Sequence, residues 1–160
     1  GGEMKDVLTS VRVMTEEGEI MELPAEELGL GYRTSIIPEK RYIVLGAVIS
    51  LTEGKKEEIK AQMDDLRQKR VSKQPLEYPS AGSTFKRPEG YFAGKLIQDS
   101  GLKGFTVGGA QVSEKHSGFV INKGNATAAD VMELIRQVTA KVKEDTGVTM
   151  EPEVKQIGEF

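Results

Sequence analysis

The sequence predicts an α+β fold, and three observations lead there. Val7, Val11 and Val13 fall on alternate positions, and Glu16-Glu17-Gly18-Glu19 separates them from the apolar run Ile20 to Leu23, the pattern of a β-hairpin. Thr127 precedes Val131, Leu134, Ile135, Val138 and Val142, which recur at helical spacing. Neither a Gly-x-Gly-x-x-Gly fingerprint nor a Walker sequence is present, and the glycines of Gly104 to Gly109 lack the fingerprint spacing. Helices and strands are therefore expected to mix without a Rossmann or P-loop unit.

The elements follow in order. The hairpin is expected over Val7 to Leu23. Pro24-Ala25-Glu26-Glu27-Leu28-Gly29 reads as one helical turn, started by proline and stopped by glycine. Gly31-Tyr32-Arg33-Thr34-Ser35 is a polar loop, and Arg41 to Leu51 is apolar enough for a strand buried on both faces. Lys55 to about Arg70 is a helix with Ile59, Met63 and Leu66 on one face and charge on the other. Val71 to Pro79, holding Pro75 and Pro79, reads as a linker with a domain boundary near Pro75. After a turn at Gly82-Ser83, Tyr91 to Asp99 is expected to be helical, with Phe92, Leu96 and Ile97 inward and Gly101 ending it. Phe105-Thr106-Val107, Val112 and Phe119-Val120-Ile121 are short strands, and Gly108-Gly109 is a bend or a point of close approach. Asp130 sits at the third position of the Thr127-capped helix, where a carboxylate suits the dipole. Gly147 ends that helix, and Val148 to Val154 reads as a last strand.

Composition narrows the functions. The 160 residues are 38% hydrophobic and 29% charged, as in an ordinary folded chain of one domain or two small ones. A formal net charge of -3 argues against a general nucleic-acid binder. There is no cysteine, which excludes disulfides, thiolate metal sites and a cysteine nucleophile, and fits a cytoplasmic home. No apolar run approaches the ~18 residues that span a bilayer. Gly1-Gly2-Glu3-Met4-Lys5 has no signal-peptide plan and no leading methionine, so the start is expected to be a cut inside a longer protein or a processed end.

Five polar features stand out. Ala81-Gly82-Ser83-Thr84-Phe85-Lys86-Arg87-Pro88 sets an exposed hydroxyl in front of two cations that suit an anion. Arg33, in its glycine-flanked loop, has the fork geometry for a carboxylate, and Lys73 next to Pro75 has an ammonium for a phosphate or carboxylate. Taken locally, both are equally well ordinary surface cations. His116 is the one histidine, so it cannot build a usual zinc site, and Ser83 lacks the Gly-x-Ser-x-Gly elbow of a hydrolase. Glu151 and Glu153 flank Pro152 at a strand end. Period-two geometry puts both on one face, while the proline opposes regular pairing. A partly buried carboxyl there suits acid chemistry, and a solvated pair is the alternative.

Read in order, Gly31-Tyr32-Arg33-Thr34-Ser35, Ser72-Lys73-Gln74-Pro75, Ala81 to Pro88, Ala93-Gly94-Lys95-Leu96-Ile97, Gly104 to Ala110 and Glu151-Pro152-Glu153-Val154 resemble the bacterial UDP-N-acetylenolpyruvoylglucosamine reductase family. Ser113-Glu114-Lys115-His116 resembles its type II branch. The resemblance implies NADPH-driven, FAD-dependent reduction of UDP-N-acetylglucosamine enolpyruvate to UDP-N-acetylmuramate for peptidoglycan precursors. It implies Ser83 as the proton donor, and Arg33 and Glu153 as the groups that stabilise the intermediate and orient the substrate carboxylate. Lys73, Arg87 and His116 are then substrate contacts, Arg87 standing where many relatives carry asparagine and His116 where others carry glutamine. Arg70 and Lys155 fall at basic positions near the flavin, Lys155 replacing a more usual arginine.

The same resemblance implies an architecture of roughly 300 residues in three domains. On that plan residues 1–74 are the back part of a PCMH-type FAD-binding domain, 75–149 a small α+β substrate-binding domain, and 150–160 a strand returning toward the flavin. The chain is then expected to lack the amino-terminal flavin-binding half. Two functions follow: the chemistry of the whole enzyme, or an isolated nucleotide-sugar-binding piece without FAD and without turnover. A third, another flavoprotein of the same superfamily, is disfavoured by Gly82-Ser83 together with Glu153. The oligomeric state is left open, although uncovered edges at the hairpin and at 41–51 favour self-association.

Overall fold

Alternation over Leu8–Met14 gives β1, and Ile20–Pro24 gives β2, paired antiparallel from Met14 opposite Ile20 to Ser10 opposite Pro24. The computed structural model describes residues 2–31 and 33–158, with Ala81 by its backbone alone; Gly1 and Tyr32, both named above, lie outside the described residues. The chain divides into two units between Ile59 and Lys60.

In the first unit Thr15 closes the hairpin, accepting from the Gly18 amide at 3.1 Å and donating to the Glu19 carbonyl at 2.9 Å. Ala25–Leu28 is the expected helical turn, of 3-10 type, with Gly29 in the left-handed region at φ 56°. A short helix not foreseen from the sequence, α1 (Ile36–Glu39), starts at Ser35, whose hydroxyl accepts the Ile37 amide at 3.3 Å. β3 (Ile43–Ile49) pairs with β1, giving the sheet order β2-β1-β3. Val11, Val13 and Leu28 are buried, with Leu8, Met21, Leu23, Ile36 and Tyr42 packed around them.

Two expectations are corrected at this point. β3 is a strand, but it is not buried on both faces: Ile43 is 55% and Val48 53% exposed. Its apolar composition predicts cover on both faces, whereas every residue of β3 except the half-buried Gly46 is exposed. The helix α2 (Lys56–Lys73) is longer than its periodicity implied, so Val71 to Lys73 are helical and not linker. None of its residues is buried, and Ile59, Met63 and Leu66 are exposed.

The second unit is built on a four-stranded antiparallel sheet in the order β4-β7-β6-β5, from β4 (Ser80–Ser83), β5 (Thr106–Val107), β6 (Ala110–Val112) and β7 (Phe119–Asn122). The helices α3 (Ala93–Asp99) and α4 (Ala128–Thr146) complete its core. Leu134, Ile135, Val138 and Val142 of α4 are buried with Leu96, Ile97, Ala110, Val112 and Val120. Each such aliphatic side chain contributes about 1.5–3 kcal/mol on burial, which makes this stripe the principal anchor of α4. Thr127 and Asp130 form a reciprocal capping box, and Gly147 ends the helix at φ 73°.

Two further expectations fail in this unit. Phe92 is 62% exposed and stands at the cap position before α3 instead of facing the core. Residues Val148 to Val154 form no strand. Only Phe85 and Pro152 make an isolated antiparallel bridge.

Candidate functional site

The Gly82-Ser83 pair, expected as a turn, is the end of a bulged strand. Ser80 faces Ile121 and Ser83 faces Phe119, so β4 spends one residue more than β7 over the same span. Gly82 absorbs the bulge at φ 91°, a conformation natural to glycine. The bulge deprives Val120 of a main-chain acceptor on β4, and the buried Thr84 hydroxyl takes its amide at 3.2 Å. Ser83 is left exposed, and among the described residues its hydroxyl has no hydrogen-bond partner.

Thr84 also ties two further segments to this strand. Its amide donates to the Gly118 carbonyl at 2.9 Å, and its carbonyl accepts the Glu153 amide at 2.8 Å. One residue pair further along, the Lys86 amide donates to the Glu151 carbonyl at 2.8 Å, and the two side chains form an exposed ion pair. Ser83–Phe85 is thereby held between Gly118–Val120 and Glu151–Glu153. Glu153 is half-buried.

His116 belongs to the same network. The Gly118 amide donates to His116 Nδ1 at 3.1 Å, and the His116 amide donates to the Ser113 hydroxyl at 3.2 Å. The Phe119 ring meets the imidazole edge-on at 4.9 Å between centroids. Beside it, the Ser117 hydroxyl is buried without a hydrogen-bond partner among the described residues. Arg87 follows Ser83 by four residues; its Nε donates to the Tyr91 carbonyl at 3.1 Å and its guanidinium lies 4.0 Å over the Phe92 ring.

Lys73 and Arg70 are exposed in the last turn of α2. That end is fastened to the His116 loop by Lys115, whose Nζ donates to the Val71 carbonyl at 2.8 Å and lies 3.4 Å from the Glu77 carboxylate. The Glu77 carboxyl is lowered from its ordinary value, first by its own backbone amide and then by Lys115. Lys155 is exposed on the segment after Glu153. Arg33 belongs to the first unit, where it is exposed and adopts a left-handed backbone at φ 54°.

The second unit therefore joins Ser83, His116 and Glu153 through shared backbone bonds, with Arg87 and Lys73 on adjoining elements. Thr84, Gly118 and Lys115 were missed from the sequence. Their roles lie in cross-strand partners, and no local residue pattern announces them. Among the described residues no cluster of histidine and carboxylate side chains suits a metal ion. No described helix is long and apolar enough to cross a membrane.

Residues 74–157 match the family described as UDP-N-acetylenolpyruvoylglucosamine reductase, C-terminal domain. The chain belongs to this family. The UDP-N-acetylenolpyruvoylglucosamine reductase of Agathobacter rectalis is 64% identical over 160 residues, covering 100% of this chain and 51% of the relative. That of Lachnoclostridium phytofermentans is 62% identical over 159 residues, covering 99% of this chain and 51% of the relative. The crystal structure of the reductase from Thermus caldophilus superposes with a TM-score of 0.80 at 40% identity, covering 96% of this chain and 54% of that one. The mixed α+β architecture is thus that of the reductase family. The chain spans about half the length of the curated reductases it matches.

Proposed function

We propose that this chain is the substrate-binding and proton-donating part of a cytoplasmic reductase that converts UDP-N-acetylglucosamine enolpyruvate to UDP-N-acetylmuramate in peptidoglycan precursor synthesis. The observation that carries the reading is the clamped segment Ser83–Phe85, which gathers an exposed hydroxyl, a half-buried carboxyl and an imidazole on one set of backbone bonds. On this reading 75–149 binds the substrate, 1–74 belongs to a PCMH-type flavin-binding domain, and 150–160 returns toward the flavin.

The cofactor would be FAD. Arg70 and Lys155 fit it chemically, since two exposed cations suit its phosphates. The chemistry such a cofactor would supply, once reduced by NADPH, is a hydride equivalent for the vinylic carbon of the enolpyruvyl ether. This chain does the rest. Charge develops on the substrate carboxylate as the double bond is lost, and the Arg33 guanidinium is suited to hold it bidentately. Glu153, in its protonated form, shares that charge by donating a hydrogen bond and keeps the carboxylate oriented. The Ser83 hydroxyl gives its proton to the carbon next to the carboxylate, completing the saturated ether. Lys73, Arg87 and His116 hold the nucleotide-sugar.

A second reading, a nucleotide-sugar-binding piece without turnover, is favoured by the chain's span of about half of its relatives. Calorimetric titration of the purified chain with UDP-N-acetylglucosamine enolpyruvate, after recording its visible spectrum, separates the two. Binding without flavin colour supports the second, and bound flavin with NADPH-dependent turnover supports the first. Absence of binding in both this chain and a full-length relative carrying it removes the substrate assignment.

A further inference from the structure

We propose that His116 recognises its ligand as a hydrogen-bond donor through Nε2, its ring held by the Gly118 amide in the tautomer that leaves the lone pair on Nδ1. The proposal rests on the reading that the Ser83–His116 cluster binds the nucleotide-sugar, and it names what His116 reads there: an acceptor oxygen, phosphoryl or carbonyl.

The argument begins at Gly118. A peptide N–H can only donate, so its 3.1 Å bond to Nδ1 requires a lone pair on that nitrogen. In a neutral imidazole the proton then resides on Nε2.

Packing keeps the ring in that place. A Cβ on Gly118 would lie 3.1 Å from His116 Cε1 and 3.2 Å from Nδ1; a Cβ on Gly94 would lie 3.5 Å from Cε1 and 3.3 Å from the Gly118 amide nitrogen. The absence of a side chain on Gly118 therefore makes room for the ring, while Gly94 borders it at ordinary contact distance and Phe119 meets it edge-on. Among the described residues Nε2 has no hydrogen-bond partner, and the side chain is half-exposed. The one ring group left for a ligand is thus an N–H donor. Gly118 also accepts the Thr84 amide on its carbonyl, so a single residue fixes both the tautomer of His116 and the strand that ends in Ser83.

His116 is the chain's one histidine, which makes its ring nitrogens separately visible by 15N NMR. The experiment records their two-bond proton correlations at about pH 8, where an ordinary imidazole is neutral. It then adds UDP as the probe and measures UDP affinity by calorimetry for the parent chain, His116→Gln and His116→Glu. Nδ1 is expected in the lone-pair region and Nε2 in the protonated region, with the Nε2 signal moving on UDP addition. Glutamine can accept from Gly118 and still donate, so His116→Gln retains affinity. His116→Glu offers acceptors only, and loses about tenfold or more, the cost of one unmade polar contact. A proton on Nδ1, or averaging of the two tautomers, in a chain that binds UDP overturns this inference alone. The Nε2 tautomer in a chain with no UDP affinity overturns the nucleotide-sugar reading and the recognition role with it. Full affinity in His116→Glu overturns the donor role.

Discussion

The carbonyl of Thr84 accepts the backbone N–H of Glu153 at 2.8 Å, while the Thr84 hydroxyl accepts that of Val120 at 3.2 Å. One buried threonine therefore joins the carboxy-terminal segment to the sheet and repairs the gap left by the β4 bulge. The first bond sets Glu153 against Thr84, the residue that follows Ser83.

Thr84→Val keeps the shape and removes the hydroxyl, leaving the Val120 amide unsatisfied in a buried site. A loss of about 1–3 kcal/mol is expected in urea unfolding. Thr84→Ser keeps the acceptor and gives up one methyl, a loss of about 1 kcal/mol. Equal losses for the two would show that the hydroxyl bond carries none of the effect.

At Gly109 two stretches of main chain pass close to one another. An added Cβ would lie 2.2 Å from the Gly124 carbonyl oxygen and 2.4 Å from the Ala126 amide nitrogen, both backbone atoms. Gly109→Ala is expected to destabilise the second unit by about 3 kcal/mol or more, because backbone cannot rotate away as a side chain can. Gly124→Ala meets nothing within 4 Å and serves as the matched control. Thermal unfolding of both variants decides it, and equal melting temperatures would contradict the packing described.

Much of this architecture is legible in the sequence where one physical signal dominates. The hairpin follows from alternation around Glu16 to Glu19, and α4 from its cap and stripe. The exposure of β3 is not legible in its sequence, because valine and isoleucine report strand preference without reporting which faces are covered. Phe92 was assigned inward by spacing, but it stands at the helix cap, beneath Arg87. Pro152 obscured the pairing of the carboxy-terminal segment: the bridge to Phe85 uses the amides of Lys86 and Glu153, so the missing proline N–H is not needed. Ser83, His116 and Glu153 could be picked out as islands, but the bonds that join them run through Thr84 and Gly118, whose identities alone carry no such message.

The amino end of α4 should melt at low pH. The Thr127 amide, its hydroxyl and the Gly109 amide hold the Asp130 carboxyl below its ordinary value, and the Arg136 and Gln137 side chains bring Glu133 from 4.5 to about 2. A carboxyl lowered in the folded state adds stability that is fully present above its unfolded pKa and is lost as pH falls through the folded one. For Glu133 that window runs from 4.5 down to about 2. Stability measured by urea unfolding should therefore fall across this interval, and Glu133→Gln should flatten the fall while leaving that of Asp130. An unchanged slope in Glu133→Gln would mean that its carboxyl is not held as the geometry implies.

Arg33 combines a side chain proposed to meet the substrate with a backbone in the left-handed region, at φ 54°. That conformation costs a residue with a Cβ about 1–2 kcal/mol and a glycine almost nothing. Arg33→Ala and Arg33→Gly remove the same guanidinium, together with whatever it holds in the folded chain, so their difference isolates the backbone. The glycine variant is expected to be more stable than the alanine variant by about 1 kcal/mol in urea unfolding. In a full-length relative carrying the two changes, both should lose turnover to the same extent, because the guanidinium proposed to steady the substrate carboxylate is gone in each. Retained turnover in Arg33→Gly alone would assign the residue's importance to its backbone and remove the guanidinium from the proposed chemistry.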